Sequence, residues 1–238
     1  MICIHYTRKN QKLQEAHLEK TEAYRYTIWE KGGDTMEILY SDRDLAVCVK
    51  PVGASSEDGP GSVPQLLRQS LGGQFYPVHR LDLNVGGVMV YARTKAAAAF
   101  LSRAVAEGLL KKEYRAIVHG TPPSQGSFQD LLWKDNAKNK VYVVKRRRKG
   151  VKEARLSYQV LQQLPDRALV AVSLETGRSH QIRVQFASRG WPLFGDGKYG
   201  AKDHCSAPAL WSWRLTFPQS SGDTMTFSAM PSGSIWNI

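Results

Sequence analysis

Three short stretches of the sequence place a charged or polar side chain beside glycine or among apolar neighbours. In the first, Asp82 stands between two leucines, and Gly86 and Gly87 follow shortly after. Glycine allows another backbone or a ligand to approach closely, so a carboxylate here would be oriented and partly desolvated. Such a carboxylate is a candidate for chemistry. The alternative is that Asp82 caps a turn or pairs with Arg80.

The second stretch runs over residues 175–184, where a strand leads into Thr-Gly and a helix is predicted to follow. Arg178 lies at this junction, and a fixed guanidinium there could keep a carboxylate ionised and aimed. His180, Gln181 and Arg183 offer hydrogen-bond donors to phosphates or to base edges. The alternative is the start of a surface helix with solvated charges.

The third stretch begins with the basic pair Lys111-Lys112 and continues into a predicted strand that Tyr114 opens. Every nucleobase has a π face, so a tyrosine in this place could stack on a base. The alternative is an ordinary core tyrosine.

The composition narrows the class of protein. The 238 residues carry a net charge of +12 and a pI of about 9.7, which attracts polyanions and makes nucleic acid the first partner to consider. An anionic membrane is the rival, but no apolar run is long enough to span one. The three cysteines are widely separated, and neither they nor the histidines show metal-ligand spacing. With no signal-peptide pattern at the start, we expect a cytoplasmic protein.

The hydrophobic pattern predicts one large α+β domain over residues 36–238, preceded by an appendage or edge strand over residues 1–35. Strands outnumber helices and hairpins recur, which favours a mainly antiparallel mixed sheet flanked by helices. Thr94 is predicted to cap a helix, and Gly32-Gly33 to form a turn. The predicted strands are 24–29, 45–49, 88–92, 114–119, 141–144, 158–164, 168–174, 211–217 and 225–227, and the predicted helices are 65–71, 95–110 and 179–188.

A basic segment covers residues 134–155. Its centre is a run of five cations, which we interpret as part of a loop or hairpin that grips RNA phosphates. A solvated basic loop is the alternative. The five cations are Lys145, Arg146, Arg147, Arg148 and Lys149.

Taken together, these stretches resemble the RluA family of RNA pseudouridine synthases. The family pattern contains an H-R-L-D motif, a lysine-x-tyrosine-x-alanine strand and a G-R-x-H-Q-I-R segment. The resemblance spans residues 38–231 in the family's order. The matching stretches here are His79-Arg80-Leu81-Asp82, Lys112-Glu113-Tyr114-Arg115-Ala116 and Gly177-Arg178-Ser179-His180-Gln181-Ile182-Arg183, with Lys50-Pro51-Val52-Gly53 and Gly195-Asp196-Gly197-Lys198-Tyr199-Gly200 as further similar segments.

The sequence departs from the family pattern after the aspartate. Many relatives have x-x-T-S-G where this chain has Leu83-Asn84-Val85-Gly86-Gly87, so two hydroxyls that could hold the loop are missing. A histidine-proline pair near the end is reduced to Phe217-Pro218, and no N-terminal S4-type RNA-binding domain is seen. The departure after Asp82 keeps a second hypothesis open, a catalytically silent RNA-binding module on the same fold.

The resemblance implies the pseudouridine synthase fold and the isomerisation of uridine in a structured ribosomal or transfer RNA. It implies no metal and no cofactor, and we expect a monomer. Asp82 would be the essential carboxylate, Arg178 would pair with it, and Tyr114 would stack on the target uracil. Other residues would contact the substrate: Ile182 as an apolar wall, Arg80 by holding the loop or replacing the flipped base, and His79, His180, Gln181 and Arg183 as further contacts.

Overall fold

The computed structural model describes residues 26–29 and 35–236, in which twelve strands form one sheet. The strands are β1 (Tyr26–Trp29), β2 (Thr35–Ser41), β3 (Leu45–Lys50), β4 (Tyr76–Pro77), β5 (Gly86–Ala92), β6 (Lys111–His119), β7 (Gln125–Asp135), β8 (Lys140–Val144), β9 (Val151–Gln163), β10 (Arg167–Leu174), β11 (Leu210–Pro218) and β12 (Thr224–Ser228). The α-helices are α1 (Val63–Leu71), α2 (Lys95–Ala106) and α3 (Gln181–Ala187).

The sheet is mixed and mostly antiparallel, which confirms the predicted fold class. Its strand order is β1-β2-β3-β5-β11-β6-β10-β9-β7-β8, with β4 added to β5 and β12 added to β11. Within this sheet the described strands pair in parallel only where β5 meets β11, through Gly86 opposite Trp211 and Gly87 opposite Ser212. This junction joins the two halves of the sheet directly behind the loop that carries Asp82.

Both faces of the sheet are covered, and the alternation of side chains along β5 shows how. Met89 and Tyr91 point to a core that also contains residues of α1 and α3, whereas Val88 and Val90 point to a core that contains Leu101 of α2. Successive side chains of a strand face opposite sides, so a central strand buried on both faces has a continuous apolar sequence. All seven residues of β5 are buried accordingly.

Several predicted elements are confirmed and some needed correction. Thr94 caps α2 by accepting a hydrogen bond from the amide of Ala97, and β9 and β10 form the predicted hairpin. The helix predicted over 179–188 begins only at Gln181, because His180 has a left-handed backbone with φ of 50°. Strand β7 escaped prediction, since its polar residues and adjacent leucines break a period of two. The predicted Gly32-Gly33 turn lies outside the described residues.

Candidate active site

Asp82 lies in the loop between β4 and β5, and a set of buried groups fixes this loop. Ser56 Oγ accepts a hydrogen bond from the amide of Leu81 and donates one to its carbonyl. The carbonyl of Leu83 accepts from Lys50 Nζ at 3.0 Å and from the amide of Gly53 at 2.9 Å. These contacts hold the residues on both sides of Asp82, so they can supply the support that the family's threonine and serine hydroxyls do not supply here.

Lys50 is fully buried, and its ammonium donates only to the carbonyls of Pro51 and Leu83 among the described residues. Burial lowers the pKa of Lys50 to about 8, and the nearby negative charge of Asp82 opposes this shift. The lysine therefore ties the loop to the end of β3 and places a positive charge behind the carboxylate.

The two glycines after Asp82 allow β11 to pass close behind the loop. A Cβ on Gly87, which has φ of +121°, would overlap the backbone of Ser212, and a Cβ on Gly86 would overlap the ring of Trp211. Only glycine combines this backbone conformation with so close an approach. The departure from the family pattern at position 86 is therefore matched by a tryptophan ring that occupies the space of a side chain there.

The carboxylate of Asp82 pairs with Arg183, which α3 carries. Arg183 Nη1 lies 3.2 Å from Asp82 Oδ2, and the same guanidinium forms two hydrogen bonds to Asp196 at 2.7 and 2.8 Å. Asp196 is 1 % exposed and Arg183 is 10 % exposed. Because Asp196 binds the guanidinium through two hydrogen bonds, Arg183 faces Asp82 in a fixed orientation.

His180 is the second group that faces Asp82. Tyr199 Oη accepts from the amide of Val141 at 2.9 Å and lies 2.8 Å from His180 Nδ1. Burial raises the pKa of Tyr199 to about 12, so the hydroxyl keeps its proton, and the tautomer of His180 decides which of the two groups donates. The other ring nitrogen, Nε2, lies 3.9 Å from Asp82 Oδ2. Burial lowers the pKa of His180, which favours a neutral imidazole.

The predicted ion pair between Arg178 and Asp82 is not formed. Arg178 lies in the loop before α3, where its Nε donates to the carbonyl of Glu153 at 2.9 Å. Arg183 occupies the place beside the carboxylate because the helix starts late and directs its first turn at the loop of Asp82. Arg178 still lines the same pocket, so a contact with substrate stays a prediction.

The side chain of Gln181, which we predicted to contact substrate, already forms hydrogen bonds within the protein. Its amide oxygen accepts from Thr176 Oγ1 and from the amide of Arg178, and its nitrogen donates to the carbonyl of Arg155. The side chain is 3 % exposed. In this arrangement Gln181 fixes the loop that carries Arg178.

Asp82 lines two hollows. The first has a volume of about 300 Å³ and is lined by Tyr114, Ile182 and Lys112 among others. Tyr114 is buried, and burial together with the charge of Asp82 raises its pKa, so the phenol stays protonated. The second hollow, also about 300 Å³, contains Lys198 and Asn139. A volume of this order suits a single nucleobase better than a larger ligand.

The remaining predicted residues occupy different settings. His79 is buried and accepts a hydrogen bond from the amide of Val90 at 3.1 Å through Nε2, so it supports β5. Arg80 is exposed at the rim and pairs with Glu57. The basic run Lys145–Lys149 lies in the exposed turn between β8 and β9, where Arg148 covers the ring of Trp133.

Sequence reasoning did not assign Asp196 or Tyr199 to the site. Both belong to the segment 195–200, which resembles the family but suggested no role of its own. The sequence did contain a signal for Asp196, because this acid stands between two glycines. Asp82 similarly stands shortly before a pair of glycines. A buried carboxylate needs a cation, and the arginine of α3 supplies it.

Comparison with known proteins places the chain in a family. The family model described as RNA pseudouridylate synthase matches residues 44–188. The chain is 33 % identical over 178 residues to ribosomal large subunit pseudouridine synthase D of Zymomonas mobilis. The aligned region covers 69 % of this chain and 56 % of that protein. The chain therefore belongs to the RNA pseudouridylate synthase family.

Two further comparisons agree. The chain is 32 % identical to the dual-specificity RNA pseudouridine synthase RluA of Haemophilus influenzae, over 82 % of this chain and 92 % of that one. The solved structure of human RNA pseudouridylate synthase domain containing 4 superposes with a TM-score of 0.69 at 26 % identity, over 81 % and 87 % of the two chains. The chain spans little more than half the length of several of the curated relatives that it matches, the protein from Zymomonas mobilis among them.

Two other kinds of feature are absent from the described ranges. None of the helices there is long and apolar enough to cross a membrane. No cluster of three or more histidine, cysteine or acidic side chains within residues 26–29 and 35–236 could hold a metal ion.

Proposed function

We propose that this chain isomerises uridine to pseudouridine in a structured RNA, with Asp82 as the essential carboxylate. The observation that carries the proposal is the ion pair of Asp82 with Arg183 at the wall of a base-sized pocket. Family membership supplies the reaction, and the geometry supplies a carboxylate whose loop and arginine partner are held by buried hydrogen bonds.

The reaction breaks the N1–C1′ bond of uridine, turns the base and rejoins it through C5. Asp82 either attacks C1′ or removes a ribose proton, and in both routes Arg183 holds the carboxylate in place by a charge-assisted hydrogen bond. The target base must leave its stack at a cost of a few kcal/mol. Tyr114 and Ile182 then offer an aromatic and an aliphatic surface to the extruded uracil.

We further propose ribosomal RNA as the substrate, with transfer RNA as the second candidate. The relative from Zymomonas mobilis is named for the large ribosomal subunit, and the relative from Haemophilus influenzae is named as having dual specificity. The net charge of +12 suits a large, structured polyanion.

The test is release of tritium from C5-labelled uridine in unmodified transcripts of large-subunit ribosomal RNA and of transfer RNAs, followed by mapping of the modified position. We expect release from the ribosomal transcript. If the protein binds these RNAs and releases tritium from none of them, the silent RNA-binding hypothesis replaces this proposal.

The exposed basic turn provides a prediction about affinity. Replacing Arg146, Arg147 and Arg148 with glutamate should weaken binding of many RNAs alike, because these side chains would neutralise phosphates without reading sequence. The plot of log affinity against log salt should become less steep by about one unit for each phosphate that is no longer neutralised. Filter binding of ribosomal and transfer RNA over a range of salt concentrations measures both effects.

A control for this prediction is available away from the basic turn. Replacing Arg43, whose side chain is 90 % exposed, with glutamate makes a similar charge change per residue elsewhere on the surface. An affinity and a salt slope equal to those of the Arg43 variant, after correction for the number of charges, would contradict a phosphate-binding role for the turn.

A further inference from the structure

Lys112 is a cation of the pocket that the proposed mechanism leaves unused. Within the part of the chain that the structure describes, its ammonium has no hydrogen-bond or ion-pair partner. Burial lowers the pKa of Lys112, and its positive charge in turn contributes to the lowered pKa of His79. Burying an ammonium without a carboxylate partner costs free energy. A ligand that offers a hydrogen-bond acceptor to Lys112 would therefore be bound favourably.

The strand β6 determines where this ammonium lies. Lys112 precedes Tyr114 by two residues, so both side chains are on the same face of β6 and their Cα atoms are about 7 Å apart. Lys112 lies opposite Leu174 of β10 in the sheet register, and its Nζ lies beside Gly177, where a Cβ would be 3.4 Å away. The ammonium therefore enters the pocket between an apolar wall and the loop before α3.

Asp82 and Lys112 both line this pocket, Asp82 from the loop before β5 and Lys112 from β6. Tyr114 lines the same pocket and lies two residues after Lys112 on the same face of β6. If Asp82 acts at the ribose, the uracil ring extends over Tyr114 and presents its far edge to Lys112. That edge carries the carbonyl oxygen on C4.

We propose that Lys112 recognises uracil through its C4 carbonyl oxygen and stabilises the base as it leaves the ribose. This inference rests on the proposed function and deepens it by naming a residue that selects uridine over cytidine. An ammonium has three donors and no acceptor, so it bonds to the carbonyl of uracil and meets only further donors on the amino group of cytosine. Glycine at position 177 leaves the ammonium free of a side-chain contact from the facing loop.

The same contact serves the bond-breaking step. When the N1–C1′ bond breaks, its electron pair stays with the base, and the negative charge spreads over N1 and the two carbonyl oxygens. Lys112 donates a hydrogen bond to the oxygen on C4 and transfers no proton, while the proton on C5 leaves only after the base has rejoined through C5. A donor that meets a charge developing in a desolvated pocket commonly contributes about 10²–10³-fold to the rate.

The test compares Lys112→Met with Lys111→Met. Lys111 is the adjacent, exposed lysine on the opposite face of β6, so it provides the same substitution outside the pocket. With the ribosomal transcript as substrate, Lys112→Met should lower kcat for tritium release by about a hundredfold and leave RNA affinity within about twofold. Lys111→Met should release tritium at the wild-type rate, and Lys112→Arg should regain part of the loss because the charge returns.

A second measurement does not depend on turnover. Saturation-transfer NMR with free uridine and free cytidine should show that the wild-type protein prefers uridine and that this preference falls about tenfold or more in Lys112→Met. Wild-type kcat in Lys112→Met would overturn the inference. So would a loss of RNA affinity and salt slope with the uridine preference intact, which indicates a phosphate contact.

The two proposals fail in different ways. A wild-type protein that releases no tritium from any RNA overturns the proposed function. In that case the nucleoside measurement decides the role of Lys112 alone, and an equal uridine preference in the wild type and in Lys112→Met overturns it.

Discussion

The Asp82→Asn protein should fold, melt near the wild-type temperature and bind RNA, yet form no pseudouridine. Asparagine keeps the size of the side chain and an oxygen that accepts from Arg183, but it has no charge with which to attack C1′ or remove a ribose proton. Arg183 keeps its two hydrogen bonds to Asp196 in this variant, so the fold around the site retains its main support. Loss of a central catalytic group commonly lowers turnover by a factor of ~10^4 or more.

The matched control is Asp58→Asn. Asp58 is also paired with an arginine, at 2.6 Å from Arg68, but it is exposed and lies away from the pocket. We expect it to turn over like the wild type, as judged by tritium release alongside a thermal melt. If Asp82→Asn also turned over like the wild type and only melted lower, Asp82 would be a turn-capping residue, for which a loss of about 1 kcal/mol of stability is typical.

The position of Asp82 could be predicted from the sequence, because its signal is local. An acid among leucines ahead of Gly86-Gly87 requires a loop that another strand approaches closely, and the structure shows β11 in that place. The Thr94 cap and the β9–β10 hairpin are similarly local features. These elements depend on a few neighbouring residues, so the sequence contains what determines them.

The partner of Asp82 could not be predicted in the same way. Arg178 and Arg183 are five residues apart in one polar segment, and either could reach a carboxylate. The choice depends on where α3 begins, which the left-handed backbone of His180 sets, and on Asp196, which arrives from a later segment. Contacts between distant segments determine this arrangement, and no local pattern in residues 175–184 reports them.

The support of the Asp82 loop by Lys50 and Ser56 also depends on contacts between distant segments. The missing hydroxyls after Asp82 left open a second hypothesis, a catalytically silent RNA-binding module on the same fold. The groups that hold the loop come instead from the end of β3 and the segment that follows it, more than 20 residues earlier in the chain. A departure in one motif is therefore compatible with a well-supported carboxylate.

The arginine substitutions should separate the two candidates for the catalytic partner. Arg183→Lys keeps a positive charge but loses the planar fork, so one ammonium must serve two carboxylates, and Asp196 is almost fully buried. We expect turnover to fall on the order of a hundredfold. The free energy of unfolding should also fall by about 1.5–3 kcal/mol, the usual worth of a hydrogen bond to a charged group.

Arg178→Lys is the matched control, because it makes the same chemical change at the rim of the same pocket. Arg178 donates to the carbonyl of Glu153 and has no contact with Asp82, so its replacement should change turnover by less than about tenfold and leave the melting temperature close to that of the wild type. Tritium release and urea unfolding of both variants provide the comparison. Should Arg178→Lys lose turnover while Arg183→Lys keeps it, the two side chains would have to exchange places when RNA binds, and Arg178 would be the partner that stabilises Asp82 during the reaction.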